Sequence, residues 1–236
     1  VVPSRTALPV LGTVRVGVAV GFVTGAVNGL LIAFTKIPPF IATLGMLVLM
    51  RGVANWYSKG SPISFPTDGY IAIGKGMTPV LIFIAVAILF HFIMTKTLYG
   101  RRTYAIGSSE TAARRSGINV ERHLVLVYAI AGMLASLAGI VLSARGQTAQ
   151  SGMGLSYELD AIAMAVIGGT SLNGGRGSII GTVIGALIFG LILSGFTFLR
   201  VDVYYQEMLK GAIIVAAVVL DVFRQNRNRL AESKGQ

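Results

Sequence analysis

Few side chains in this sequence are equipped for chemistry, and their placement narrows what they could do. There are nine aspartates and glutamates, two histidines and no cysteine in 236 residues. Disulfides, thiolate catalysis and cysteine-based metal sites are therefore excluded. His91 and His123 flank a basic loop and share no metal-ligand spacing; both are expected near a membrane interface without a special role. Glu158 and Asp160 stand two apart in an otherwise apolar stretch. A carboxylate at mid-bilayer is expensive and turns toward protein or a water-filled cavity. Two readings are open: both lie at the outer end of a span in headgroup water, or they form a polar part of a substrate path. Asn28, a lone amide in an apolar run, reads as an interhelical hydrogen bond or as a contact in such a path. No Ser/His/Asp set, paired-carboxylate pocket or metal cluster is readable, so neither an enzyme nor a cofactor is expected.

The most deliberate local pattern lies at residues 101–122, RRTYAIGSSETAARRSGINVER. Within it, Ser108 to Gly117 has the marks of a short helix. Ser108 or Ser109 can cap the first amides. Glu110 falls in the first turn, with Arg114 and Arg115 in the last, which suits the helix dipole. Glu110 and Arg114 form an i,i+4 pair in the favourable order, and Gly117 followed by Ile118 is a helix stop. Two turns are marginal alone in water, so such strong signals in a polar loop suggest that something docks there. The glycine-rich Gly168–Gly177 segment lacks the Gly-Lys-Ser/Thr ending of a phosphate-binding loop. It reads as a tight turn between two spans, with Arg176 as its basic residue.

The elements that must hold these features are membrane helices. Hydrophobic residues make up 54% of the chain and charged residues 12%, with a mean hydropathy of +0.75, where a soluble domain is about 25% charged. A crossing helix needs about 20 mostly apolar residues. Seven stretches qualify: Val16–Phe34, Pro39–Trp56, Pro79–Thr95, His123–Ala144, the weaker Leu155–Leu172, Ser178–Leu199 and Met208–Phe223. Gly25 and Gly29 in the first, and Gly181, Gly185 and Gly190 in the sixth, fit close helix packing. The expected fold is all-α, a polytopic transmembrane helical bundle, with residues 1–236 as one transmembrane domain. The net charge of +11 sits in loops between apolar runs, which points to cytoplasmic loops and a lipid bilayer rather than nucleic acid. Arg101, Arg102, Arg114, Arg115 and Arg122 put the loop over residues 96–122 in the cytoplasm. Arg224, Arg227, Arg229 and Lys234 do the same for the C-terminus. An even number of crossings between the two requires the fifth stretch to cross. Val1 is not a natural start, so the chain is expected to be the C-terminal part of something longer.

Several segments carry a resemblance. Glu110-Thr111-Ala112-Ala113 followed by Gly117 resembles the Glu-Ala-Ala…Gly signature on the coupling loops of ABC importer permeases, with Thr111 intervening. Ala105-Ile106-Gly107 and Ala112 through Val120 resemble the permeases of the ribose, xylose and related sugar importers. Pro38 to Gly45 with Arg51-Gly52, Tyr157 to Ala163 leading into Gly168 to Leu172 and Gly174 to Gly177, and Gln206 with Lys210-Gly211 do so too. The similarity runs from about Thr24 to Asp221; members of that family carry further N-terminal spans.

The resemblance implies a permease subunit in a bacterial inner membrane. It would pair with a second permease subunit, dock cytoplasmic ATPase subunits and receive sugar from a periplasmic binding protein. Ser109, Glu110, Ala112, Ala113, Arg114, Gly117 and Ile118 would sit in a cleft on the ATPase, with Gly174, Gly175 and Arg176 as a secondary contact. A branched-chain amino-acid permease is the nearest alternative, and a secondary transporter or channel the alternative of another class.

Overall fold

The computed structural model describes residues 10–64, 68–202, 204–213, 215, 216 and 219. The last predicted span lies partly, and the basic tail from Arg224 entirely, outside the described residues. Two compact units result, residues 1–85 with 117–154, and residues 86–116 with 155–236. Among the described residues, five helices are long and apolar enough to cross a membrane.

In the first unit, α1 (Val10–Thr35) lies antiparallel along α7 (Val120–Gly146). Glycines bring the two backbones together: a β-carbon on Gly21 would stand 2.4 Å from the Gly132 carbonyl oxygen, and one on Gly25 would stand 2.2 Å from that of Tyr128. This contact accounts for the small-residue spacing seen in the sequence, because apolar lipid gives helices no hydrophobic reason to associate and close backbone packing must do it. α2 (Pro39–Ser58) starts at the Pro38-Pro39 pair and ends where Lys59 turns left-handed, at φ 52°. Two small elements absent from the sequence reading follow: β1 (Ile63–Ser64) and α3 (Asp68–Gly74). β1 pairs antiparallel with β2 (Thr148–Ala149), Ile63 opposite Ala149. Tyr70 of α3 packs with Ile140 and Ala144 of α7, and its hydroxyl lies 2.8 Å from Ser143 Oγ.

Within α4 (Thr78–Lys96) the chain passes into the second unit, which also holds α5 (Leu98–Ser108), α6 (Glu110–Arg115), α8 (Tyr157–Ile167), α9 (Ile179–Phe198) and a helical run over 204–213. α8 packs on α9 through glycines: Gly185 approaches the Met164 carbonyl so closely that a β-carbon would stand 2.1 Å away. Gly190 has open space around its α-carbon instead of the close packing expected of it.

The fifth predicted span needs correction. A continuous helix over Leu155–Leu172 is expected from hydropathy, but α8 has only 11 residues. At 1.5 Å per residue that is about 16 Å, against a hydrocarbon core of about 30 Å. Left-handed backbone brackets it, Gly154 and Ser156 before and Gly169 after, and these residues end the helix where apolar composition alone would extend it.

Candidate functional site: a helix pair and a glycine turn

The polar end of the second unit is built from α5, α6 and the turn between α8 and α9. α6 has the capping read from the sequence. The Ser109 hydroxyl accepts from the Ala112 amide at 3.3 Å, which identifies Ser109 rather than Ser108 as the cap. Arg114 donates to Glu110 from Nε at 3.0 Å and from Nη2 at 2.8 Å. The helix stops at Arg115, with Gly117 left-handed at φ 79° just beyond. An exposed pair of this kind adds a few tenths of a kcal/mol, ~0.3–0.5, so the cap and the ion pair define the helix ends more than they stabilise the fold. Ala112 is exposed, whereas Ala113 is only 3% exposed and faces into the protein. The outward face of α6 is thus Glu110, Thr111, Ala112, Arg114 and Arg115. Exposed Arg101, Arg102 and Arg176 add to it, leaving this end of the unit net positive.

Sequence reasoning missed α5. Residues 98–108 look like loop because their hydrophobicity is low, yet they form three turns of helix. Ser109 is at once the C-cap of α5 and the N-cap of α6, so no linker separates the two helices. Burial raises the Tyr99 phenol above its ordinary pKa, a hydrogen bond from Thr103 works more weakly in the opposite direction, and the ring stays neutral at physiological pH.

The glycine turn lies against this helix pair. Inside it, the Ser171 amide donates to the Arg176 carbonyl at 3.0 Å and the Gly174 amide to the Ser171 carbonyl at 3.2 Å. The Tyr104 hydroxyl donates to the Gly177 carbonyl at 2.9 Å. Gly174 and Gly175 therefore meet α5, and Arg176 points to the exposed side.

Of the candidate path residues, Asn28 belongs to the first unit and Glu158 and Asp160 to the second. Asp160, in the first turn of α8, accepts from Lys210 Nζ at 3.2 Å, with side-chain exposures of 12% and 26%. Glu158 is exposed. Asn28 lies in α1, and its Oδ1 is buried with no hydrogen-bond partner among the described residues, so the interhelical bond expected of it is not formed by that atom. His91 lies in α4 and His123 in the first turn of α7. Among the described residues no three His, Asp or Glu side chains cluster as metal ligands would.

The family described as the branched-chain amino acid transport system permease component matches residues 3–218. The chain belongs to this permease family. This permease is 44% identical over 224 residues to the ribose import permease protein RbsC of Escherichia coli, covering 91% of this chain and 70% of that protein. It is 47% identical over 205 residues to RbsC of Bacillus subtilis, covering 82% of this chain and 62% of that one. The galactose/methyl galactoside import permease protein MglC of Escherichia coli is 37% identical over 241 residues, covering 97% and 72%. No solved structure matches the permease. Its relatives and the five long apolar helices among the described residues make it a multi-pass membrane protein.

Proposed function

We propose that this permease is the membrane subunit of an ATP-driven sugar importer, with residues 1–236 acting as one transmembrane domain and residues 96–122 as its cytoplasmic coupling loop. The observation that carries the reading is α6. A six-residue helix with its own cap and ion pair stands exposed at the basic polar end of the second unit, in a protein 44% identical to a ribose import permease. Helices this short persist when tertiary contacts hold them, and buried Ala113 supplies that anchor while Glu110, Thr111, Ala112, Arg114 and Arg115 remain outward. A separate ATPase would grip that outward face, with Ser109, Gly117 and Ile118 fixing its ends and Arg176 beside it. ATP-driven closure of two ATPase subunits would move two such helices in a pair of permease subunits and switch the path between two packings. A binding protein on the far, periplasmic side of the bacterial inner membrane would deliver the sugar. The C-terminus would be cytoplasmic. The relatives named for ribose and for galactose favour a sugar over an amino acid.

The test is crosslinking joined to uptake in cells that express the whole importer. The chain has no cysteine of its own, so single cysteines are placed at Ala112 and, as a control, at exposed Ser61 between α2 and β1. The expected result is an ATP-sensitive crosslink from position 112 to the ATPase, none from position 61, and ATP-dependent uptake of a labelled pentose or hexose. Labelling of position 112 by an impermeant reagent from outside, or uptake of leucine in place of sugar, would overturn the reading.

A further inference from the structure

We infer that the glycine turn between α8 and α9 is the joint through which movement of α6 reaches the membrane helices, with Gly107, Gly175 and Tyr104 as its positioning residues. The inference rests on the proposed docking of an ATPase on α6. α5 and α6 share Ser109 as a cap, so displacement of α6 must displace the last turn of α5. That turn meets the glycine turn backbone to backbone. A β-carbon on Gly107 would stand 2.4 Å from the Gly175 amide nitrogen; one on Gly175 would stand 2.9 Å from the Ser108 α-carbon and 2.7 Å from its hydroxyl. No flexible side chain lies between Gly107 and Gly175 to absorb a shift. Close-packed backbone passes a displacement on, where a side-chain layer would relax by changing rotamers. The Tyr104–Gly177 hydrogen bond at 2.9 Å fixes the same two pieces a turn away, so sliding is opposed as well as separation.

The turn is internally hydrogen-bonded and short. It leads straight to Ile167, the end of α8, and to Ile179, the start of α9. At the other end of α8, Asp160 is tied to Lys210. A push at α6 would therefore be delivered to α8, α9 and the 204–213 helix as a group. The side chains at 174 and 175 are hydrogen atoms because any larger group would hold the two backbones apart, and a β-carbon at 177 would meet Thr170 inside the turn.

The experiment uses the complete importer, with its ATPase and binding protein, in proteoliposomes. Gly107→Ala places a methyl group in the joint without harming α5 as a helix, because alanine is the better helix former. Tyr104→Phe removes a single oxygen. Both are expected to leave ATP hydrolysis and the crosslink from Ala112 at wild-type level. Sugar carried per ATP is expected to fall about fivefold for Tyr104→Phe, the size of one hydrogen bond, and further for Gly107→Ala. Should Gly107→Ala fail to accumulate in the membrane, Tyr104→Phe carries the test alone. Unchanged sugar per ATP in Tyr104→Phe would overturn the inference. Loss of hydrolysis and crosslink together with uptake would overturn it too, since the residues would then serve docking. If the unsubstituted importer gives no crosslink from position 112, the docking reading has failed instead.

Discussion

Replacing Gly25 by alanine should destabilise the permease, although alanine is the better helix former by about 1 kcal/mol. The added methyl carbon would stand 2.2 Å from the Tyr128 carbonyl oxygen, 3.0 Å from its carbonyl carbon and 3.1 Å from the Ala129 α-carbon. Ordinary contact begins near 3.4 Å, so α1 and α7 must part by roughly 1 Å, and a gap of that size forfeits about a quarter to a half of each dispersion well it opens. The obstructing atoms are backbone and cannot rotate away. Overpacking costs about 1–3 kcal/mol, which leaves a net loss of up to about 2 kcal/mol after the gain in propensity. For a chain of this size that lowers Tm by up to about 8 °C. Gly139→Ala is the control, because Gly139 lies on α7 with no heavy atom within 4 Å of a β-carbon; its Tm should hold or rise. Thermal unfolding of the purified protein in one detergent measures both. If Gly25→Ala and Gly139→Ala shift Tm alike, helix propensity governs and the close-packing account of the α1–α7 contact is wrong.

Breaking the Asp160–Lys210 pair should cost about 1–3 kcal/mol for either Asp160→Asn or Lys210→Met, between the values for exposed and buried pairs. The exchange Asp160→Lys with Lys210→Asp should recover at least half of the loss in the same thermal assay, and no recovery would mean that the contact is incidental. Ser109→Ala removes the α6 cap, worth about 0.5–2 kcal/mol; amide hydrogen exchange at residues 111–113 should accelerate while α7 is unchanged, and equal protection would show that the cap is dispensable. Tyr70→Phe should lower stability by about 1 kcal/mol through loss of its bond to Ser143, and an unchanged Tm would place that hydroxyl in contact with water instead.

What could be read from the sequence followed from patterns that need no partner. Long apolar runs place α2, α4, α7 and α9 within three residues of their observed ends and α1 within six, because hydropathy is a property of the segment alone. Ser109, Glu110, Arg114 and Gly117 gave α6 for the same reason, since capping is local. The ends were less legible where a cap was overlooked: Asn119 accepts from the Arg122 amide at 3.0 Å and starts α7 three residues before His123. Hidden altogether were features made by distant residues. α5 owes its place to the glycine turn about 70 residues away, as the Tyr104–Gly177 bond shows. α3 is held by Tyr70 against Ser143. Asp160 was noticed as an anomaly, but its partner Lys210 lies 50 residues on, and no spacing rule links them.

The shortness of α8 bears on how this protein enters a membrane. Eleven residues with carboxylates at Glu158 and Asp160 in the first turn cannot rest in lipid alone, because a buried carboxylate needs a partner or water and non-helical backbone beside the helix leaves peptide groups that lipid cannot solvate. What makes the segment tolerable, the glycine face of α9 and the amine of Lys210, is synthesised after it. During biogenesis α8 must therefore wait, in water or at the translocon, until downstream helices arrive. A chain cut short before residue 210 would leave α8 with no counter-charge for its buried aspartate.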